Sequence, residues 1–308
     1  MLKIKSPSEK IELTSIKTLL YGEPGIGKTT LALTAPSPLL IDCDKGIRRV
    51  SPQHRSDYME VNDWNDIMEL INSPAELTKY ETLVPDTVGK LLDLLSLNII
   101  KANHKMGSAT GGLTLQGYGA LQSEFRNFSA NLTKVGKHLI LVAHDRETSD
   151  QDRTKVRPDI TGRSMGNVLK EMDLVGYIQS RNNERTVSFT PSDIFYAKNT
   201  CGLPNIIAIP DLTKQAKKPM TEIFEKFKQM LDSQAVVMDE YKALLSVLEG
   251  KIEMVTDAET AMTVSMEIKG MQEIWDSRTI SRIMLNEKIT ALGLKYNQTS
   301  KLFEPIAK

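Results

Sequence analysis

Eight residues constrain this chain more than any others: Gly22-Glu23-Pro24-Gly25-Ile26-Gly27-Lys28-Thr29 fit the phosphate-binding pattern G-x-x-x-x-G-K-[ST] at every position. Residues 16–21 before them are β-rich and predict a strand. Residues 30–35 after them predict a helix that Pro36 stops. In that context the glycines let backbone N–H groups turn inward around phosphate oxygens, and the helix N-terminus adds its partial positive charge. The expected nucleotide contacts are Gly22, Glu23, Pro24, Gly25, Ile26, Gly27, Lys28, Thr29 and Thr30. Lys28 would reach the β and γ phosphates, and the Thr29 hydroxyl would hold Mg²⁺.

At 308 residues the chain has room for one large α/β domain and a smaller appendage. Its formal net charge is zero, so a global basic field is excluded and any nucleic-acid site must be local. The two cysteines, Cys43 and Cys201, share no metal-type spacing, which suits a reducing compartment and argues against zinc or a disulfide. No apolar run approaches the roughly 18 residues of a membrane span, and residues 1–7 lack a signal-peptide core. A cytoplasmic protein with no membrane partner is expected.

Short apolar strands are predicted at residues 38–42, 80–87 and 137–144, with helices at 65–71, 88–103 and 118–135. Residues 104–119 hold five of the chain's 18 glycines and predict a mobile loop. Residues 145–165 predict a second loop, polar and long enough to be functional. Strands are then expected at 174–180, 186–190, 194–197 and 206–209, a linker at 214–219 and a short helix at 220–231. Alternating strands and helices imply a mostly parallel sheet flanked by helices, with ligand at the carboxyl ends of the strands. Residues 1–232 would form this domain and 233–308 a helical C-terminal region, with Leu244, Leu248, Ile252 and Val255 on one face.

Three strand ends offer catalytic chemistry. Asp86 could hold the Mg²⁺ shell, Asp44 could orient or deprotonate the attacking water, and His144 could hydrogen-bond the γ-phosphate. Asp42 is expected to support the loop by hydrogen bonds. No Asn-Lys-x-Asp sequence occurs, which favours ATP over GTP. Pro85 conflicts with a central strand because it has no N–H to donate; either the strand ends one residue early, the preferred reading, or the carboxylate is displaced.

Together these residues resemble the phage nucleotide-binding family of RecA-like P-loop ATPases, which includes the RecA-like single-strand annealing proteins of phage recombination systems. The resemblance runs over residues 18–204. It implies that Asp44 is the hydrolytic base, that Val142-Ala143-His144-Asp145 is the sensor strand, and that Lys198 reaches into a neighbouring subunit's ATP. It further implies a homo-oligomer, ring or filament, that binds single-stranded DNA through the loops at 104–119 and 146–165. The second of these has five basic residues from Arg153 to Lys170 against one acid; Lys105, Arg153, Lys155, Arg157 and Arg163 are the expected DNA contacts. Two functions follow: a DNA-stimulated ATPase that promotes annealing or recombination, or a nucleotide-gated loader or scaffold whose tail grips a helicase, single-strand-binding protein or other replication partner.

Overall fold

A computed structural model of the chain describes residues 13–150, 153–160, 164–212 and 217–306. They fall into two compact units, Glu12–Met230 and Leu231–Lys308.

The first unit opens with β1 (Lys17–Gly22), α1 (Lys28–Ala32), β2 (Pro38–Asp42), β3 (Tyr58–Glu60), α2 (Trp64–Ile71) and α3 (Pro74–Leu77). It continues through β4 (Thr82–Asp86), α4 (Val88–Ala102), α5 (Leu115–Lys134), β5 (His138–Asp150), β6 (Arg153–Pro158) and α6 (Ser164–Glu171). The strands β7 (Leu174–Arg181), β8 (Glu184–Ser188), β9 (Lys198–Asn199) and β10 (Ile206–Ile209) complete the sheet, and α7 (Pro219–Glu253) follows.

Strand order is β10-β8-β7-β1-β5-β4-β2-β3, with β6 on β5 and β9 on β7. The strands from β7 to β3 are parallel; β8, β9 and β10 are antiparallel additions. This is the RecA-like P-loop arrangement: a mostly parallel sheet flanked by helices, with one strand between the phosphate-loop strand and the strand that ends in Asp86. Period-two alternation explains the packing. Leu19, Tyr21, Leu39, Ile41, Leu83, Leu139 and Leu141 turn to one face and form the main core with α2, α4, α5 and α6. Leu20, Leu40, Ile140 and Val142 are equally buried on the alternate positions. His138 contacts Phe224 of α7 with ring centroids 4.8 Å apart.

Register sets the level of the strand ends. Gly22 stands beside His144, Asp42 beside Asp86, and Asp86 beside Val142. The strand through Pro85 does not end early, which corrects the preferred reading above. On the β2 side its pairing is continuous to Asp86. On the β5 side it lapses at Val84 and Pro85 and resumes at Asp86. The missing N–H interrupts one ladder only, so the strand survives and delivers its carboxylate.

Other expectations change as well. Helix α1 starts two residues earlier than expected and ends at Ala32, before Pro36. Residues 104–119 are not an open loop: Ser108 N–H donates to Gly112 O at 2.7 Å, Thr114 N–H to Met106 O at 2.8 Å, and α5 already runs from Leu115. Residues 145–150 and 153–158 pair as an antiparallel ribbon, the end of β5 against β6. The strand expected at 194–197 reduces to an isolated bridge between Val156 and Phe195, with β9 beginning at Lys198. The short helix expected at 220–231 runs on to Glu253, because no Gly or Pro interrupts it before Gly250.

In the second unit, α8 (Ala258–Gly270) and α9 (Ser277–Ala291) pack with Leu248, Ile252 and Val255 around a separate core that includes Leu285, Ile289 and Phe303. The region is not wholly helical: β11 (Leu294–Asn297) and β12 (Leu302–Pro305) form a hairpin. Among the described residues no helix is long and apolar enough to cross a membrane.

Candidate functional site

The loop between β1 and α1 takes a conformation that needs its glycines. Gly25 and Gly27 hold φ of 79° and 96°, in the left-handed region. Inside the loop Lys28 is buried, and its ammonium donates to Gly22 O at 2.9 Å and Glu23 O at 2.8 Å. Burial lowers its pKa, opposed by the charges of Asp86, Asp145 and Glu23. Those two carbonyls occupy the ammonium where a phosphate would otherwise take it.

Thr29 donates its hydroxyl hydrogen to Asp86 Oδ2 at 2.5 Å. Burial pushes the Asp86 carboxyl up to about 6; the Thr29 bond and Lys28 pull the other way, while Asp44 and Asp42 add to the rise. A buried carboxylate among other carboxylates favours a cation. Thr29 and Asp86 are hard oxygen donors suited to Mg²⁺, which takes one or two protein ligands and completes its shell with phosphate and water. No group of three His, Cys, Asp or Glu side chains among the described residues could hold a metal unaided.

Asp42 is buried and accepts from the N–H groups of Gly46 at 2.7 Å and Ile47 at 3.0 Å, so it braces the turn after β2. That turn presents Asp44, whose Oδ2 lies 2.8 Å from a guanidinium nitrogen of Arg49. His144 leaves Nδ1 buried with no hydrogen-bond partner, and burial, then Lys28, lowers its pKa and favours the neutral ring. Gly25, Gly27, Lys28, Thr29, Thr30, Asp44, Arg49, Asp86 and His144 all line one cleft.

Arg49 and Arg185 were not anticipated. Arg185 of β8 donates to Ile26 O at 3.5 Å, and a Cβ on Gly27 would meet its guanidinium at 2.7 Å, so it props the phosphate loop from outside. Neither arginine has a local sequence signal; the fold brings each in. Lys198 is placed otherwise than expected. Its ammonium donates to the carbonyls of Leu169 at 3.5 Å, Lys170 at 3.3 Å and Met172, capping the end of α6 in its own chain instead of projecting from a strand edge. A cation on exposed helix-end carbonyls is worth about 1–2 kcal/mol. Lys198→Ala should therefore lower the unfolding free energy measured in urea by that much, with ATP turnover little changed. A large loss of turnover at unchanged stability would restore the finger.

The β5–β6 ribbon carries the basic residues. In its register Arg146 faces Arg157 and Thr148 faces Lys155, so these share a face; Glu147 and Val156 share the other. Lys155 Nζ lies 4.4 Å from the Tyr196 ring centroid. Arg157 Nε is buried without a partner, and Arg146 approaches Asp159 only at 3.9 Å. Arg153 lies in β6 beside Asp150 at the hairpin tip, Lys105 is exposed in the turn after α4, and Arg163 falls outside the described residues.

Residues 14–201 match the family described as an AAA domain. The chain belongs to that family. Among the solved structures that match this chain is "Crystal structure of the RadB recombinase", at 14% identity and TM-score 0.33, over 56% of this chain and 79% of that one. No curated protein matches. AAA-domain membership, with the loop geometry, makes this a nucleotide-binding domain.

Proposed function

We propose that the chain is an ATPase whose β5–β6 ribbon binds single-stranded DNA, acting as an oligomer in annealing or recombination as in the phage family it resembles. The observation that carries this is the continuity of β5: His144 lines the nucleotide cleft, and the same strand runs on to Arg146 and the basic face of the ribbon. Arg146 and Arg157 stand opposite each other, a like-charge pair offset only by Asp159 at 3.9 Å from Arg146, so a further anion would stabilise it. A phosphodiester backbone supplies that anion, and Tyr196 beside Lys155 offers a ring on which a base could stack.

For hydrolysis, Asp44 takes a proton from water as the water oxygen attacks the γ-phosphorus. The bond from that phosphorus to the β–γ bridging oxygen breaks, releasing ADP and inorganic phosphate. Lys28 neutralises the phosphate oxygens and His144 hydrogen-bonds the γ-phosphate. Mg²⁺, held through Thr29 and Asp86, would neutralise charge on the β and γ oxygens.

The test is ATP turnover with and without single-stranded DNA, and DNA affinity over a range of salt. Replacing Arg146, Lys155 and Arg157 together by Ala should abolish stimulation by DNA. The slope of log affinity against log salt should fall by about 2. Unchanged affinity at every salt concentration would refute the ribbon assignment. The loader reading draws support from the separate core of the second unit. It predicts turnover indifferent to DNA.

A further inference from the structure

Arg49 has no part in the reading above, yet it lines the nucleotide cleft. Its place is built by the turn after β2. Asp42 ties down the N–H groups of Gly46 and Ile47, and the short 3-10 turn Ile47–Arg49 then carries the guanidinium back to Asp44. The pair closes over the Gly46 Cα. A Cβ there would lie 2.5 Å from Asp44 Oδ1 and 2.9 Å from the Arg49 guanidinium. The two side chains differ in freedom: Arg49 is 60% exposed and Asp44 only 20%. Among the described residues the Asp44 contact is the guanidinium's only hydrogen bond, so most of its five N–H donors are uncommitted. Arg55, a few residues on, is instead committed to the carbonyls of Val50 and Arg48.

We propose that Arg49 is a terminal-phosphate contact held in reserve on Asp44: a nucleoside triphosphate draws the guanidinium onto its γ-phosphate and so frees the Asp44 carboxylate to meet water. The exchange suits the groups. A guanidinium fork matches phosphate as well as carboxylate, and a triphosphate brings more negative charge than one carboxylate. A cleft without a γ-phosphate leaves the base neutralised by Arg49, so turnover is licensed only by the nucleotide that can be cut. Arg49 is thus a positioning residue for Asp44 and a binding residue for the triphosphate. The inference rests on the nucleotide reading above and deepens it.

The experiment measures equilibrium affinity of the full chain for ADP and for a non-hydrolysable ATP analogue, with Mg²⁺. Unmodified protein, Arg49→Ala, Arg49→Lys and the loop control Lys28→Ala are compared. Because Arg49 is largely exposed, Arg49→Ala should fold normally. It should weaken the ATP analogue about 10-fold or more and ADP by less than about 2-fold. Arg49→Lys, which keeps the charge but not the fork, should fall between. If Arg49 only props Asp44, both affinities shift alike or not at all, and the inference is overturned even where turnover drops. If the unmodified chain binds neither nucleotide, and Lys28→Ala changes nothing, the nucleotide reading itself has failed and takes this inference with it.

Discussion

Asp44→Asn is expected to lower ATP turnover by about 10²–10⁴-fold, the usual contribution of a general base, with ATP affinity undiminished. Asparagine keeps an oxygen that can accept from Arg49, so the turn that Asp42 braces should stand. What it removes is the capacity to take a proton. The other acids and bases of the cleft are less suited. Asp86 is engaged by the Thr29 hydroxyl, and its burial makes it a cation site rather than a free base. The neutral ring of His144 is the real competitor, since it too could accept a proton. Phosphate release and an equilibrium titration, run on the same preparation, separate them. Turnover at the parent rate in Asp44→Asn would move the base to His144.

Chemistry that is local in sequence was legible in it, and chemistry assembled by the fold was not. The phosphate loop is eight contiguous residues whose conformation depends on Gly25 and Gly27, so its pattern carried its function. Asp42, Asp86 and His144 are legible because each follows an apolar run, although β5 continues past His144 to Asp150. Pro85 misled because a proline forbids one hydrogen bond, not a strand: the β2 ladder alone holds β4 in place. The ribbon resembles a loop in sequence because β5 beyond His144 alternates in charge, Arg146 against Glu147, with few apolar residues to mark a strand. Helix α7 passes Leu231 because no Gly or Pro interrupts it through Glu249. Arg49 and Arg185 were beyond reach. The first is an ordinary surface cation until Asp42 folds the turn, and the second sits 159 residues from the carbonyl it holds.

Gly22→Ala should destabilise the first unit strongly. Gly22 pairs with Ile178 of β7, and an added Cβ would stand 2.4 Å from the Ile178 carbonyl oxygen and 3.3 Å from its carbon. Both atoms are backbone, so no rotamer change relieves the clash; β1 or β7 must shift. Overpacking in a core costs about 1–3 kcal/mol, and with both neighbours held in ladders about 3 kcal/mol is expected. The shift would also move the Gly22 carbonyl that receives Lys28, so nucleotide affinity should fall with stability. Gly166→Ala supplies the contrast. It lies in α6 with nothing within 4 Å of its added Cβ, and should gain about 0.5–1 kcal/mol from helix propensity. Urea midpoints of the two variants should therefore move in opposite directions. A Gly22→Ala protein as stable as its parent would mean that β1 does not approach β7 this closely, and the loop's anchorage would have to be sought elsewhere.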